Sequence, residues 1–305
     1  MFGGFKKTEV TVLIAYPFKD TFRLAGFTAN YLLVNRTSSP AVEISSQCNR
    51  HVSVAIVLWF IAGLLLFSVG VSRTQNMVFD EANYLPIARS LLHGDLKPLD
   101  MNSPLGRQHP PLGSYLIAAG IKVGGDSPIG WRLASILAGS LTLSAMFLWV
   151  FLLIRDFRLA MTAAALTLLN HFLYVIARVA MLDIFEFMFV MWALVAFTAS
   201  VTTSCSVKIR RGFLFLSGIL FGLACACKWN AIDSLLVVLL ISVLLLASRR
   251  LLPHFDRLAL ALPARSLREI GLSVIFAALL IVPVVTYFCV FFPFLHAMYT
   301  PFSFQ

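Results

Sequence analysis

Acid is scarce in this chain: Asp and Glu account for 14 of 305 residues, against 24 Lys and Arg. Charged residues of both signs make up only 12%, too few to coat a water-soluble globule, while 59% are hydrophobic and 27 are Phe. A mean hydropathy of +0.88 lies outside the range of a soluble domain. Strand-like alternation and hairpin spacing are lacking, which excludes an outer-membrane barrel. No Lys/Arg run carries interleaved aromatics, so the net charge of +10 does not describe a nucleic-acid-binding face. The five cysteines (Cys48, Cys205, Cys225, Cys227, Cys289) have neither zinc-site spacing nor a secreted disulfide framework. No internal repeat of the transporter type is found. Residues 1–50 lack an 18-residue apolar run and a clean cleavage site, so they are neither a span nor a standard signal peptide. An interfacial anchor, a disordered tail and an over-extended start all remain open. The sequon Asn35-Arg36-Thr37 is read as chance, because that end is expected in the cytoplasm.

What is abundant is apolar sequence in helix-length runs. A helix needs roughly 20 apolar residues to cross ~30 Å of hydrocarbon. Spans are expected near 53–71, 130–152, 159–177, 183–202, 212–228, 231–247 and 270–292. The stretch 112–123 is too short to cross, and prolines precede it. It reads as a helix lying along the interface. The chain is therefore expected to be an all-α, polytopic integral membrane protein. With the N-terminus in the cytoplasm, sixteen of the 24 Lys and Arg fall on the inside and eight on the outside. This agrees with the positive-inside rule and puts the 72–129 loop outside. Asp80, Glu81, Asp95, Asp100, Asp126, Asp183, Glu186 and Asp233 collect on that external side, beside Arg132, Arg178 and Lys228. Acids and bases on one face suit an anionic group and a proton acceptor. Interfacial charges paired with headgroups and one another give the same pattern.

The adjacent acids Asp80 and Glu81 stand out, since ionised groups at a membrane edge are costly and tend to be functional. Around them the sequence runs FDEANYLPIARSLLHGD (79–95), GRQHPPLGSYLIAAG (106–120) and GWRLASILAG (130–139). ARVAMLDIFEFMF (177–189) and SGILFGLACACKWNAI (217–232) follow. In this order the blocks resemble the protein O-mannosyltransferase family and its bacterial relatives, membrane glycosyltransferases that use a polyprenyl-phosphate sugar.

The resemblance implies a GT-C type fold of about seven transmembrane helices with interfacial helices in the first external loop. It implies transfer of a sugar, typically mannose, from a polyprenyl- or dolichyl-phosphate carrier to an acceptor protein or glycan. Asp80 matches the family's catalytic base and Glu81 its second acid, a group that orients a neighbour, raises the pKa of Asp80, or binds acceptor or a divalent cation. No metal ligands are assigned, and a divalent cation is the one cofactor left open. His109 and Pro110 match the HPPLG block, where His109 either contacts a substrate or caps a loop. Arg132 matches the arginine near the donor phosphate. Arg178 and Asp183 match the R…LD block and are expected to pair across a turn. Lys228 and Trp229 match the KW block, as a phosphate or headgroup contact and an interfacial anchor.

Gln108 and Ser114 depart from the Asp and Lys often found beside that HPPLG motif. Three segments are expected: a cytoplasmic tail or interfacial segment at 1–52, the N-terminal part of the transferase scaffold at 53–292, and a short external tail at 293–305. Relatives continue with further spans, so a second chain supplying them is an expected partner besides the lipid bilayer. No nucleic-acid partner is expected. The implied location is the bacterial cytoplasmic (inner) membrane, with the active-site loop external. An aminoarabinose-transferase-like enzyme acting on lipid or glycan, and a non-catalytic membrane subunit, stand as alternatives.

Overall fold

The computed structural model describes residues 41–95, 109–251 and 261–299. The chain divides into two compact units, Met1–Ile44 and Ser45–Gln305, and the fold below is that of the second. Most of the expected tail at 1–52, the last six residues, Asp100, Lys97 and Arg107 lie outside the described residues.

All regular structure among the described residues is helical: α1 (Ala41–Ser68), α2 (Glu81–Leu92), α3 (Leu112–Gly124), α4 (Pro128–Ile154), α5 (Phe157–Leu168) and α6 (His171–Ile176) come first. They are followed by α7 (Asp183–Thr202), α8 (Val207–Cys227), α9 (Ala231–Leu251), α10 (Ala261–Ile270), α11 (Leu272–Phe276) and α12 (Val282–Tyr299), the last two joined by a π turn at Ala277–Ile281. Local chemistry sets many of the boundaries. Ser127 Oγ accepts from Gly130 N and Pro128 opens α4, where its missing N–H has no partner to lose. Asp156 Oδ1 accepts from the N–H groups of Arg158 and Leu159 to start α5. Arg155 turns left-handed (φ 60°) to end α4.

Among the described residues, five helices are long and apolar enough to cross a bilayer: Arg50–Arg73, Pro128–Ile154, Asp183–Thr202, Val207–Cys227 and Leu272–Pro293. They cover five of the seven expected spans. The expected span 159–177 is broken, because Asn170 Oδ1 accepts from Leu173 N and restarts the chain as α6. The expected span 231–247 lies in α9, with its apolar stretch over Ala231–Ala247. The interfacial helix expected at 112–123 is α3.

Burial ranks the helices. In α7, 67% of the most apolar window is buried, against 22% in the first and last spans. Thus α7 is the central rod, with α4 on one side and α8 on the other, and Phe185, Met191, Phe197 and Leu214 fill the seams. Outward-facing Leu58, Leu65, Leu240 and Val284 stay exposed, as lipid-facing side chains do. Helices in lipid approach closely only where residues are small. On α8, a Cβ at Gly218 would run into the Ala278 carbonyl of the π turn, and one at Gly222 would lie 2.7 Å from the Pro283 carbonyl. Glycine at both positions lets α8 dock against the α11–α12 rod.

Because successive long helices reverse direction, polar contacts fall into two sets at opposite helix ends. One set joins Arg155 to the Thr202 carbonyl, Arg211 to the Ile270 carbonyl, and Arg210 and Arg265 to Glu269. The other joins Glu81 to Arg132, Arg89 to Asp126, and Asp183 to Lys228.

Candidate functional site

At this second end, α2 is pinned along its length by two consecutive residues of α4. Arg132 Nε and one terminal nitrogen donate to the two oxygens of Glu81, each at 2.7 Å. Its other N–H groups go to the carbonyls of Val71, Thr74 and Asn76 at 2.9–3.3 Å. A guanidinium has five N–H donors, and all five are engaged. Glu81 in turn accepts from Val78 N at 2.8 Å and Ala180 N at 2.9 Å, so its carboxylate ties four chain segments together. At the far end of α2, Arg89 forms a forked pair with Asp126, and Trp131 Nε1 donates to the same carboxylate. These donors hold the Asp126 carboxyl below the usual carboxylate range, the Arg89 hydrogen bond first, against the opposing effect of burial.

Asp80 is left free by this lock. It occupies the N-cap position of α2 in a helical conformation (φ −69°, ψ −7°), and its side chain caps nothing. Among the described residues it makes no ion pair and no side-chain hydrogen bond. Phe79 before it sits at φ 54°, a left-handed conformation rare for a bulky side chain. The strain is held by the neighbouring Val78–Glu81 and Glu81–Arg132 bonds. The two acids thus divide: Glu81 braces the loop, and Asp80 is presented half-exposed at its tip.

Around Asp80 lie Tyr84, one turn on, and His109, whose ring is 6.3 Å from that of Tyr84. Burial, then the charges of Asp80 and Asp183, push the Tyr84 phenol up to about 12, so it stays protonated. Burial and the Lys228 ammonium hold His109 below the usual histidine value, against the upward pull of Asp183 and Asp80. Pro110 and Pro111 are buried and lead into α3, and Gly113 lets that helix abut the Leu182 side chain. Lys228 Nζ donates to Asp183 Oδ1 at 2.6 Å.

Two expected contacts differ in the structure. Arg132 has no donor left for a phosphate, because Glu81 and three carbonyls use them all. Arg178 does not pair with Asp183; it bonds the Tyr174 hydroxyl, stacks over that ring at 4.7 Å and reaches the Leu66 carbonyl. Asp183 pairs with Lys228 instead, 45 residues away. Sequence reading also passed over Tyr84, although its position four residues after Asp80 puts both on one face of α2. Glu186 was noted only as one more external acid. It lines, with Asp183, a cavity of about 530 Å³ between α4, α5, α6, α7 and α9. Among the described residues, no group of three or more His, Cys, Asp and Glu side chains is placed to hold a metal ion.

The fold is that of the GT-C membrane glycosyltransferases, as its likeness to two solved structures shows. The S. cerevisiae protein O-mannosyltransferase Pmt1-Pmt2 complex bound to the sugar donor matches with a TM-score of 0.64 at 19% identity, over 81% of this chain and 34% of that one. ArnT from Cupriavidus metallidurans in the apo state matches at 0.60 and 19%, over 83% of this chain and 44% of that one. Residues 108–287, more than half of the sequence, match the dolichyl-phosphate-mannose-protein mannosyltransferase family, and the chain belongs to that family. The matched stretch takes in His109, Arg132, Arg178, Asp183 and Lys228, while Asp80 and Glu81 precede it. A polyprenol-phosphate-mannose–protein mannosyltransferase of Mycobacterium tuberculosis is 29% identical over 207 residues, 57% of this chain and 38% of that protein. The Mycolicibacterium smegmatis protein of the same name is 26% identical over 205 residues, 57% of this chain and 39% of that protein. The chain thus spans well under half the length of these curated relatives.

Proposed function

We propose that this chain carries the catalytic loop of a membrane mannosyltransferase. It moves mannose from a polyprenyl-phosphate carrier to a hydroxyl of an acceptor protein on the external face of the bacterial inner membrane. Family membership and the names of the relatives support the donor and acceptor classes. The observation that carries the reading is Asp80, an unpaired carboxylate on a loop made rigid by Glu81 and Arg132.

In this reading Asp80 takes the proton of the acceptor hydroxyl as that oxygen attacks the anomeric carbon. The bond from that carbon to the phosphate oxygen breaks, its electron pair leaves with the lipid phosphate, and configuration inverts. Lys228 is the cation for the departing phosphate. One of its three N–H groups is used by Asp183, and an ammonium on a flexible stem can turn the others toward an anion. Neutral His109 and protonated Tyr84 are hydrogen-bonding groups beside Asp80. Glu81 and Arg132 are positioning residues.

The likeness to ArnT supports a second reading, transfer to a lipid or glycan acceptor. A partner chain is part of the proposal, supported by the two-protein complex of the yeast relative. The test gives the purified protein, in nanodiscs, polyprenyl-phosphate mannose with protein, glycan and lipid acceptors in parallel. Transfer to protein that Asp80→Asn abolishes is the expected result. Transfer undiminished in that variant removes Asp80 as base, transfer only to lipid or glycan selects the second reading, and no transfer to any acceptor favours a non-catalytic subunit.

A further inference from the structure

The cavity beside the Asp183–Lys228 pair has a polar group that the mechanism above leaves unused. Asp183, Glu186, Phe187 and Val190 follow one another at helical spacing on one face of α7, and all four line it. Most of the remaining wall is apolar, with Met146, Leu166, Phe172, Leu173 and Ile176. The polar lining groups are largely committed elsewhere. The Thr167 hydroxyl donates to the Ala163 carbonyl at 2.8 Å, Asn170 Oδ1 caps α6, and Asp183 holds Lys228. Glu186 makes no hydrogen bond and no ion pair among the described residues, and the charged groups facing it are Lys228, Asp183 and Asp233. A place in the first turn of α7 favours an acid but supplies no partner for its oxygens. An ionisable side chain within a membrane helix, aimed into a cavity, marks a ligand contact.

We propose that Glu186 is a specificity-determining residue, which accepts hydrogen bonds from hydroxyls of the glycosyl unit of the lipid-linked donor, seated in this cavity with Ser234. The proposal rests on the transferase reading and adds the residue that reads the sugar. A carboxyl side chain presents oxygens that accept hydrogen bonds, so its complement is a donor such as a sugar hydroxyl. Phosphate stays at the Lys228 end, where the cation lies, while the polyol goes one helical turn deeper. A volume of about 530 Å³ lies within the range of small-molecule sites. An amino sugar would replace the hydroxyl bonds by an ion pair.

The test measures equilibrium binding of polyprenyl-phosphate mannose, polyprenyl phosphate without sugar, and a polyprenyl-phosphate amino sugar to the full chain in nanodiscs. Wild type, Glu186→Gln and Glu186→Leu are compared. Loss of these hydrogen bonds predicts that Glu186→Leu binds the mannosyl lipid roughly tenfold or more weakly. Binding of the sugar-free lipid is expected to stay unchanged, which a variant that merely misfolds would not allow. Glu186→Gln, which keeps one acceptor oxygen, is expected to fall between. Equal weakening for the sugar-free lipid, or no weakening at all, overturns the assignment while leaving the transferase reading intact. Wild-type preference for the amino sugar that Glu186→Gln removes overturns the hydroxyl assignment. Wild type that binds neither glycosylated lipid overturns both readings.

Discussion

Glu81 and Arg132, 51 residues apart in sequence, meet as a closed fork, with both N–O distances 2.7 Å and neither side chain more than 2% exposed. Breaking a buried pair on one side leaves a charge without a partner. Arg132→Ala and Glu81→Ala are each expected to lower stability by about 3–5 kcal/mol. Arg132→Lys keeps the charge but cannot reproduce five directed bonds, so it too is expected to melt early. Thermal unfolding in detergent checks this; variants that melt with wild type would show that the fork does not brace the loop.

Asp80 is expected to behave in the opposite way. Its side chain makes no hydrogen bond or ion pair among the described residues, so Asp80→Asn should melt like wild type. Loss of a general base slows turnover by roughly 10²- to 10⁴-fold. Turnover on polyprenyl-phosphate mannose and a melting curve on the same preparation separate the two effects.

Lys228 is the proposed phosphate contact in place of Arg132, whose donors are all engaged. Lys228→Met is expected to weaken binding of polyprenyl phosphate itself, through lost charge at the departing group. Any loss in Arg132→Lys should track its loss of folded protein. Titration of both variants with sugar-free polyprenyl phosphate decides the point, and normal lipid binding by Lys228→Met would exclude it as the phosphate contact.

His109 sets a pH response with a definite sign. Burial and Lys228 lower its folded pKa below the unfolded value of about 6.5. As pH falls through that region the unfolded chain binds more protons than the folded one, so stability falls with it. The stabilisation is fully present above about pH 6.5 and is lost as pH drops through the folded pKa. Melting temperatures between pH 7.5 and 5 should therefore decline less steeply in His109→Asn than in wild type.

Orientation can be read from a native thiol. Cys205 is exposed in the turn between α7 and α8, at the end of the bundle opposite Asp80. With the proposed topology that turn is cytoplasmic. In right-side-out vesicles carrying Cys205 as the sole cysteine, a membrane-impermeant maleimide should react only after permeabilisation. Labelling of intact vesicles would invert the topology.

Much of the helix pattern is local in origin and was legible. Ser127-Pro128 and Asp156 are start signals whose side chains or missing N–H act within three residues, and the structure places α4 and α5 there. The break within 159–177 carries such a signal in Asn170, but the hydropathy of the stretch hides it. The motif residues Asp80, His109, Asp183 and Lys228 gather at one end of the bundle.

The pairings within that end were not legible, and Arg178 shows why. Five residues from Asp183, it turns to Tyr174, four residues before it, because the ring offers both a hydroxyl and a π face at once. Arg132 looked like a free cation at a span boundary, and only the packing of the 71–76 loop reveals that its donors are spent.

The sequence by itself indicated a membrane environment, most of the helices and several residues of the candidate site, because hydropathy, capping and motif spacing act over a few residues. Tertiary structure alone decided which acid is free and which is locked. A carboxylate's state depends on donors that reach it across space, and besides the neighbouring Val78 N–H those on Glu81 come from Arg132 and Ala180, 51 and 99 residues away.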